Sequence, residues 1–133
     1  MNSVSIKSCD NSTTLSFRLL GSTSDAIDFV ASISGAPFIG EVQSTTYFSG
    51  PPSLLFREMA ESWKGWKGEK VWSALDGELY LSAATTSLGH VTLKIEMTEQ
   101  SADFKLYASL GLEAGQLEDI YNDIASVFPL NDL

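Results

Sequence analysis

Apolar and polar residues alternate along most of this chain, and a period of two predicts strands. Val4 and Ile6 interleave with Ser5 and Lys7, and Cys9-Asp10-Asn11-Ser12 reads as a turn. Leu15, Phe17 and Leu19 alternate with Ser16 and Arg18 until Gly21-Ser22-Thr23-Ser24 breaks the pattern. Ile27, Phe29, Ala31 and Ile33 alternate with Asp28 and Ser32 as far as Gly35-Ala36-Pro37. Residues 38–48 predict a fourth strand with weaker alternation and a bulge near Gly40. After the middle of the chain the pattern returns three times: Leu79, Leu81 and Ala83; Val91, Leu93, Ile95 and Met97; Phe104, Leu106, Ala108 and Leu110. Each set faces one way with polar residues opposite, as in antiparallel sheet with one face on a core and one in water.

Two stretches change period. Leu55, Phe56, Met59, Ala60 and Trp63 recur at helical spacing, and Pro51 suits a first helical position because its missing N–H costs nothing there, so a helix is predicted over 51–63. Leu117, Ile120, Tyr121, Ile124 and Phe128 form a second stripe, predicting a helix over 114–128 that Pro129 stops and that lies on the sheet as a lid. Between them, Trp63-Lys64-Gly65-Trp66-Lys67-Gly68-Glu69-Lys70-Val71-Trp72 turns a corner. Asp76-Gly77 then predicts a hairpin whose two turn residues both take positive φ. Each half thus runs from strands into one helix, a loose internal repeat. The expected fold is α+β: an antiparallel sheet of about seven or eight strands with two helices on its apolar face, in one domain over residues 1–133.

Composition adds limits. At 133 residues with 44% apolar and 19% charged side chains, the chain can bury a core without staples. Met1-Asn2-Ser3-Val4-Ser5 lacks the basic start and apolar run of a signal peptide, and no apolar stretch approaches the roughly 20 residues of a membrane span. Cys9 is the single cysteine, so no intrachain disulfide forms and a cytoplasmic location is expected. Seventeen acidic against eight basic residues give a net charge of −9. That opposes binding to nucleic acid or anionic membrane and favours a basic protein partner; solubility alone is the plainer explanation.

Motifs for chemistry are sparse. His90 is the single histidine and follows Gly89 at a strand start, where a hydrogen-bonded histidine is the ordinary outcome, so nucleophilic catalysis has little to use. One Cys and one His do not make a Cys/His zinc cluster, Asp76-Gly77-Glu78 is only a fragment of a calcium loop, and no Gly-rich phosphate cradle occurs. No cofactor, metal or catalytic residue is therefore expected. Glu69, Asp76 and Glu78 are close in sequence, but Glu78 falls on the polar side of its strand and a solvated face explains it. Of the three tryptophans, Trp63 lies on the predicted buried stripe and Trp72 in a strand, leaving Trp66 as the exposed one. The last helix carries Glu118, Asp119 and Asp123, with no Lys or Arg after Lys105. Glu118 complements the helix dipole; Asp119 and Asp123, four apart, repel each other and hint at a basic partner.

The corner Trp63–Trp72, then Asp76-Gly77-Glu78-Leu79-Tyr80-Leu81, Leu88-Gly89-His90-Val91-Thr92-Leu93 and Leu112-Glu113-Ala114-Gly115-Gln116-Leu117, resemble a family of short uncharacterised bacterial proteins. More distantly, the order of strands and closing helix resembles the WapI-type immunity proteins, which neutralise a contact-delivered toxin made by the same cell. The resemblance covers roughly residues 55–128; the first 50 residues match by strand pattern only. It implies an antiparallel α+β fold that acts by binding, without catalytic residues. The expected function is an acidic cytoplasmic binding protein, in its specific form an immunity protein that covers a basic toxin domain. Its candidate contact residues are Trp66, Glu69, Asp76, Glu78, Glu118, Asp119 and Asp123. The alternative is a small-molecule binding module using the Trp/Gly corner and the sheet face. An enzyme built on Glu69, Asp76 or Glu78 ranks third.

Overall fold

A computed structural model describes residues 2–35, 37–101 and 103–130. Met1 and Ala36, cited above in the N-terminal segment and in the third turn, lie outside the described residues.

Strands β1 (Ser3–Lys7), β2 (Thr14–Ser22), β3 (Ile27–Gly35) and β4 (Phe38–Thr45) lead into helix α1 (Ser53–Glu61). Strands β5 (Lys70–Ser73), β6 (Leu79–Thr85), β7 (His90–Thr98) and β8 (Lys105–Glu113) lead through a single 3₁₀ turn, Ala114–Gln116, into helix α2 (Leu117–Val127). The expected α+β fold of antiparallel strands with two helices holds. Its eight strands divide into two sheets of four, ordered β1-β2-β3-β4 and β5-β6-β7-β8, each a simple meander. Both halves therefore have the same order of parts, four strands and then a helix.

Period-two patterning puts one face of each sheet into a shared core. Leu15, Phe17, Phe29 and Ala31 from the first sheet and Leu79, Leu81, Leu93 and Ile95 from the second are all at most 1% exposed. Leu55, Phe56 and Met59 of α1 and Leu117, Ile124 and Val127 of α2 join the same cluster. At its centre Phe128 packs edge-on against Phe17 and Phe29, with centroids 5.6 and 5.1 Å away. Phe29 also meets Trp72 at 6.3 Å, joining the two sheets. Polar groups caught there are satisfied: the buried Ser53 hydroxyl donates to the Phe128 carbonyl at 2.7 Å, and the Trp72 indole N–H donates to the Gly50 carbonyl at 3.1 Å.

Several local expectations are corrected. Helix α1 starts at Ser53, with Pro52 as its cap residue, so Pro51 lies outside it. Strand β4 ends at Thr45, and residues 46–50 turn, with Phe48 in the left-handed region at φ 67°. Trp63 lies past the end of α1 and is 55% exposed, because the helix stops at Glu61 before its stripe can bury that ring. Phe104 precedes β8 and is 74% exposed. No bulge occurs at Gly40, which pairs regularly with Ile33; the irregularity lies in β2, between Leu19 and Gly21. Gly40 is instead a point of close approach, where a Cβ would sit 2.9 Å from Leu106 of the other sheet. The Asp76-Gly77 hairpin closes at Ala74 and Leu79 around four residues, so only Gly77 needs positive φ, at 80°.

Candidate functional site

The seven candidate contact residues separate into distinct places. Asp76 and Glu78, from the β5–β6 loop, line one end of the molecule together with Asp28 on β3 and Glu99 just past β7. They surround a cleft of about 720 Å³ between the two sheets, and among the described residues no Lys, Arg or His lines it. Glu78 is not on a solvated face, as its position in the strand pattern implied. It is half-buried, and its carboxylate accepts a 2.6 Å hydrogen bond from the Ser44 hydroxyl on the opposite sheet. Its carbonyl also accepts from the Thr98 amide at 3.0 Å. Glu99 accepts from the hydroxyl and amide of Ser101; the hydroxyl above all holds its carboxyl below the usual carboxylate range, so it stays ionised. The arrangement is a concave anionic surface suited to a cationic side chain.

The other candidates lie elsewhere. Glu69 is exposed beside the outer face of the second sheet, where Tyr80, Lys94, Glu96 and Tyr107 help to line a cavity of about 480 Å³. Trp66 is half-buried rather than free: its indole N–H donates to the Ala83 carbonyl at 3.0 Å, and the Lys70 ammonium lies 5.3 Å from the ring centre. Its role is to anchor the corner. Glu118 faces a cavity of about 620 Å³ between the helices, shared with Arg57, Trp63 and Tyr121. Asp119 and Asp123 are exposed, off the buried stripe of α2 as expected.

A second cluster joins the only cysteine and the only histidine. The turn between β1 and β2 folds against β8: the Cys9 amide donates to the Gly111 carbonyl at 2.8 Å, the Gly111 amide to the Ser8 hydroxyl at 2.9 Å, and the Asn11 side chain to the Ser109 carbonyl at 3.3 Å. His90 opens β7 directly opposite Glu113, its register partner on β8. Its Nε2 lies 2.8 Å from the Asp10 carboxylate and its Nδ1 3.4 Å from that of Glu113. The Cys9 thiol points at Asp10 (3.5 Å) and Glu113 (3.8 Å). Gly111 lies beneath this cluster, and a Cβ there would push the Asp10 carboxylate out of its present position. Gly111→Ala is expected to displace the turn and to cost about 1–3 kcal/mol, read as a lower urea midpoint.

In the metal-free cluster the electrostatics disfavour the Cys9 thiolate. Loss of water around the sulfur and then the Asp10 carboxylate raise the Cys9 thiol above its ordinary value. The hydrogen bond to Glu113, helped by Asp10, raises His90 above its ordinary 6.5. With both ring nitrogens facing carboxylates, the protonated form of the metal-free imidazole is favoured, which makes it a poorer base for the thiol. A raised folded-state value means a stabilising contribution that is complete below the unfolded pKa and lost as pH climbs through the folded one. In metal-free buffer, the stability difference between the wild type and His90→Gln should thus be present below about pH 6.5 and vanish above the folded value. Urea melts at several pH values check this. Local sequence did not reveal the cluster, since Cys9 and His90 are brought together only by the docking of a turn on a distant strand.

Residues 6–131 match the model of a family of unknown function (DUF6228), and the chain belongs to that family. No curated protein and no solved structure gives a significant match. No helix among the described residues is long and apolar enough to cross a membrane.

Proposed function

We propose that this protein acts by binding a basic protein partner in the cleft of Asp28, Asp76, Glu78 and Glu99, with immunity to a basic toxin domain as its specific form. The observation that supports it is the cleft itself: four carboxylates on one concave surface without a lining cation among the described residues, in a chain of net charge −9. Such a surface steers a basic partner in and pairs with its Lys or Arg side chains once there. Action is stoichiometric, without turnover, in the cytoplasm. The immunity form rests on the resemblance of strand order to the WapI-type immunity proteins.

The test is binding of the purified chain to a basic toxin domain, sought in the genes beside its own, at low and at physiological salt. Association should slow markedly as salt rises while dissociation changes less. No binding at micromolar concentration would overturn the immunity reading. One observation favours a second reading, a small-molecule site on the outer face of the second sheet. There Tyr80 and Tyr107 are both cross-strand partners of Glu96, which Lys105 approaches at 3.9 Å. Trp66, already engaged with Ala83 and Lys70, would contribute little to it. Loss of toxin binding on Tyr107→Ala, with the cleft intact, would move the partner to that face.

A further inference from the structure

We propose that Cys9, Asp10 and His90 form a binding site for a divalent transition-metal ion of the zinc class, with Glu113 orienting the histidine. The site is separate from the partner cleft and does not depend on the binding function. One sulfur, one carboxylate oxygen and one imidazole nitrogen, each from a different residue, lie within 4.8 Å of one another. They come from two segments remote in sequence, the β1–β2 turn and the start of β7. A tetrahedral Zn²⁺ with bonds of about 2.0–2.3 Å spaces its ligand atoms roughly 3.3–3.6 Å apart. Asp10 Oδ1 is 3.5 Å from the Cys9 sulfur and Asp10 Oδ2 is 2.8 Å from His90 Nε2, and one oxygen, the sulfur and a ring nitrogen all lie within 4.8 Å of one another. Side-chain rotations of about an ångström therefore close the set around an ion.

A single ion pair would explain His90 beside one carboxylate. It does not explain why the Asp10 carboxylate offers one oxygen to the sulfur and the other to the imidazole, nor why a glycine at 111 keeps that position open. With Nε2 on the metal, Nδ1–H points at Glu113, the carboxylate–histidine–metal arrangement that fixes ring orientation and tautomer. The ion takes the thiolate in place of the thiol proton, which passes to solvent, and its two positive charges offset a local excess of acids. Mixed sulfur, nitrogen and oxygen donors select Zn²⁺ or Co²⁺ over Mg²⁺ or Ca²⁺, which take oxygen. Three protein ligands at an exposed corner leave a fourth position for water. The expectation from composition, that one Cys and one His do not make a Cys/His zinc cluster, counted those two residue types alone; the site proposed here adds the Asp10 carboxylate.

The test uses the full, untagged, reduced chain titrated with Co²⁺. A 1:1 complex with a thiolate-to-cobalt charge-transfer band is expected, abolished by added Zn²⁺ and unaffected by excess Mg²⁺. Cys9→Ser should remove the band, and His90→Gln or Asp10→Asn should weaken binding at least tenfold. Glu113→Gln should keep the band with a smaller loss of affinity. Circular dichroism shows whether each variant is folded, and the wild-type spectrum decides by itself if one is not. No charge-transfer band at millimolar Co²⁺, or binding unchanged in Cys9→Ser or His90→Gln, overturns the proposal.

Discussion

Replacing Ile124 with Asp is expected to unfold the chain or severely destabilise it. Ile124 is 0% exposed and sits on the stripe with which α2 closes the core. A carboxylate there enters a core cluster whose buried members among the described residues are apolar, Leu117, Val127 and Phe128 included. Loss of the buried side chain together with burial of an unpaired acid exceeds about 4 kcal/mol, against a total stability of roughly 5–15 kcal/mol for such a domain. Ile120→Asp should cost clearly less, because Ile120 is only half-buried and its substitute can turn toward water. Denaturant melts by circular dichroism check both. Equal losses at the two positions would mean that α2 is docked with a different face inward.

The second large effect is on binding. Asp28→Lys with Asp76→Lys is expected to weaken association with the basic partner by roughly 100-fold. Both residues are exposed, so the melting curve should stay near that of the wild type. Glu78 is left intact in this test, because its bond to the 5%-exposed Ser44 ties the two sheets together and its loss would mix folding with recognition. Asp119→Lys with Asp123→Lys on α2 should lower affinity only a few-fold, through the slower encounter of a less acidic protein. The two double variants carry the same change of charge, so the comparison separates a local contact from a general field. A larger loss from the helix pair would place the partner on α2. No loss from either would remove the electrostatic mechanism.

The sequence elements that were legible are those whose cause is local. Alternation at Leu15, Phe17 and Leu19, and at Val91, Leu93, Ile95 and Met97, reads directly as strand because a pleat sends alternate side chains to opposite faces. The stripe through Leu117 and Ile124 reads as helix for the matching reason. Misread positions lie where a period ends. Trp63 and Phe104 continue an apolar spacing in sequence, but α1 stops at Glu61 and β8 begins at Lys105, and both rings are exposed. Trp66 is the reverse case: its Lys and Gly neighbours suggest exposure, while the indole N–H finds the Ala83 carbonyl across the corner.

By itself, then, the sequence determined the class of the fold, its seven or eight antiparallel strands and two helices, the inward face of most of them, and the acidity of the whole. These follow from hydrophobic period and charge count, which need no knowledge of distant neighbours. Only the tertiary structure decided that the strands divide into two sheets and that Asp76 and Glu78 share a cleft with Asp28 and Glu99. It also decided that Cys9 and Asp10 meet His90 and Glu113. Those meetings join residues from separate strands and loops, up to 104 positions apart in the case of Cys9 and Glu113. Their physical cause is packing: the turn after β1 docks on β8 where Gly111 has no side chain, and the ends of the two sheets meet where Ser44 reaches Glu78.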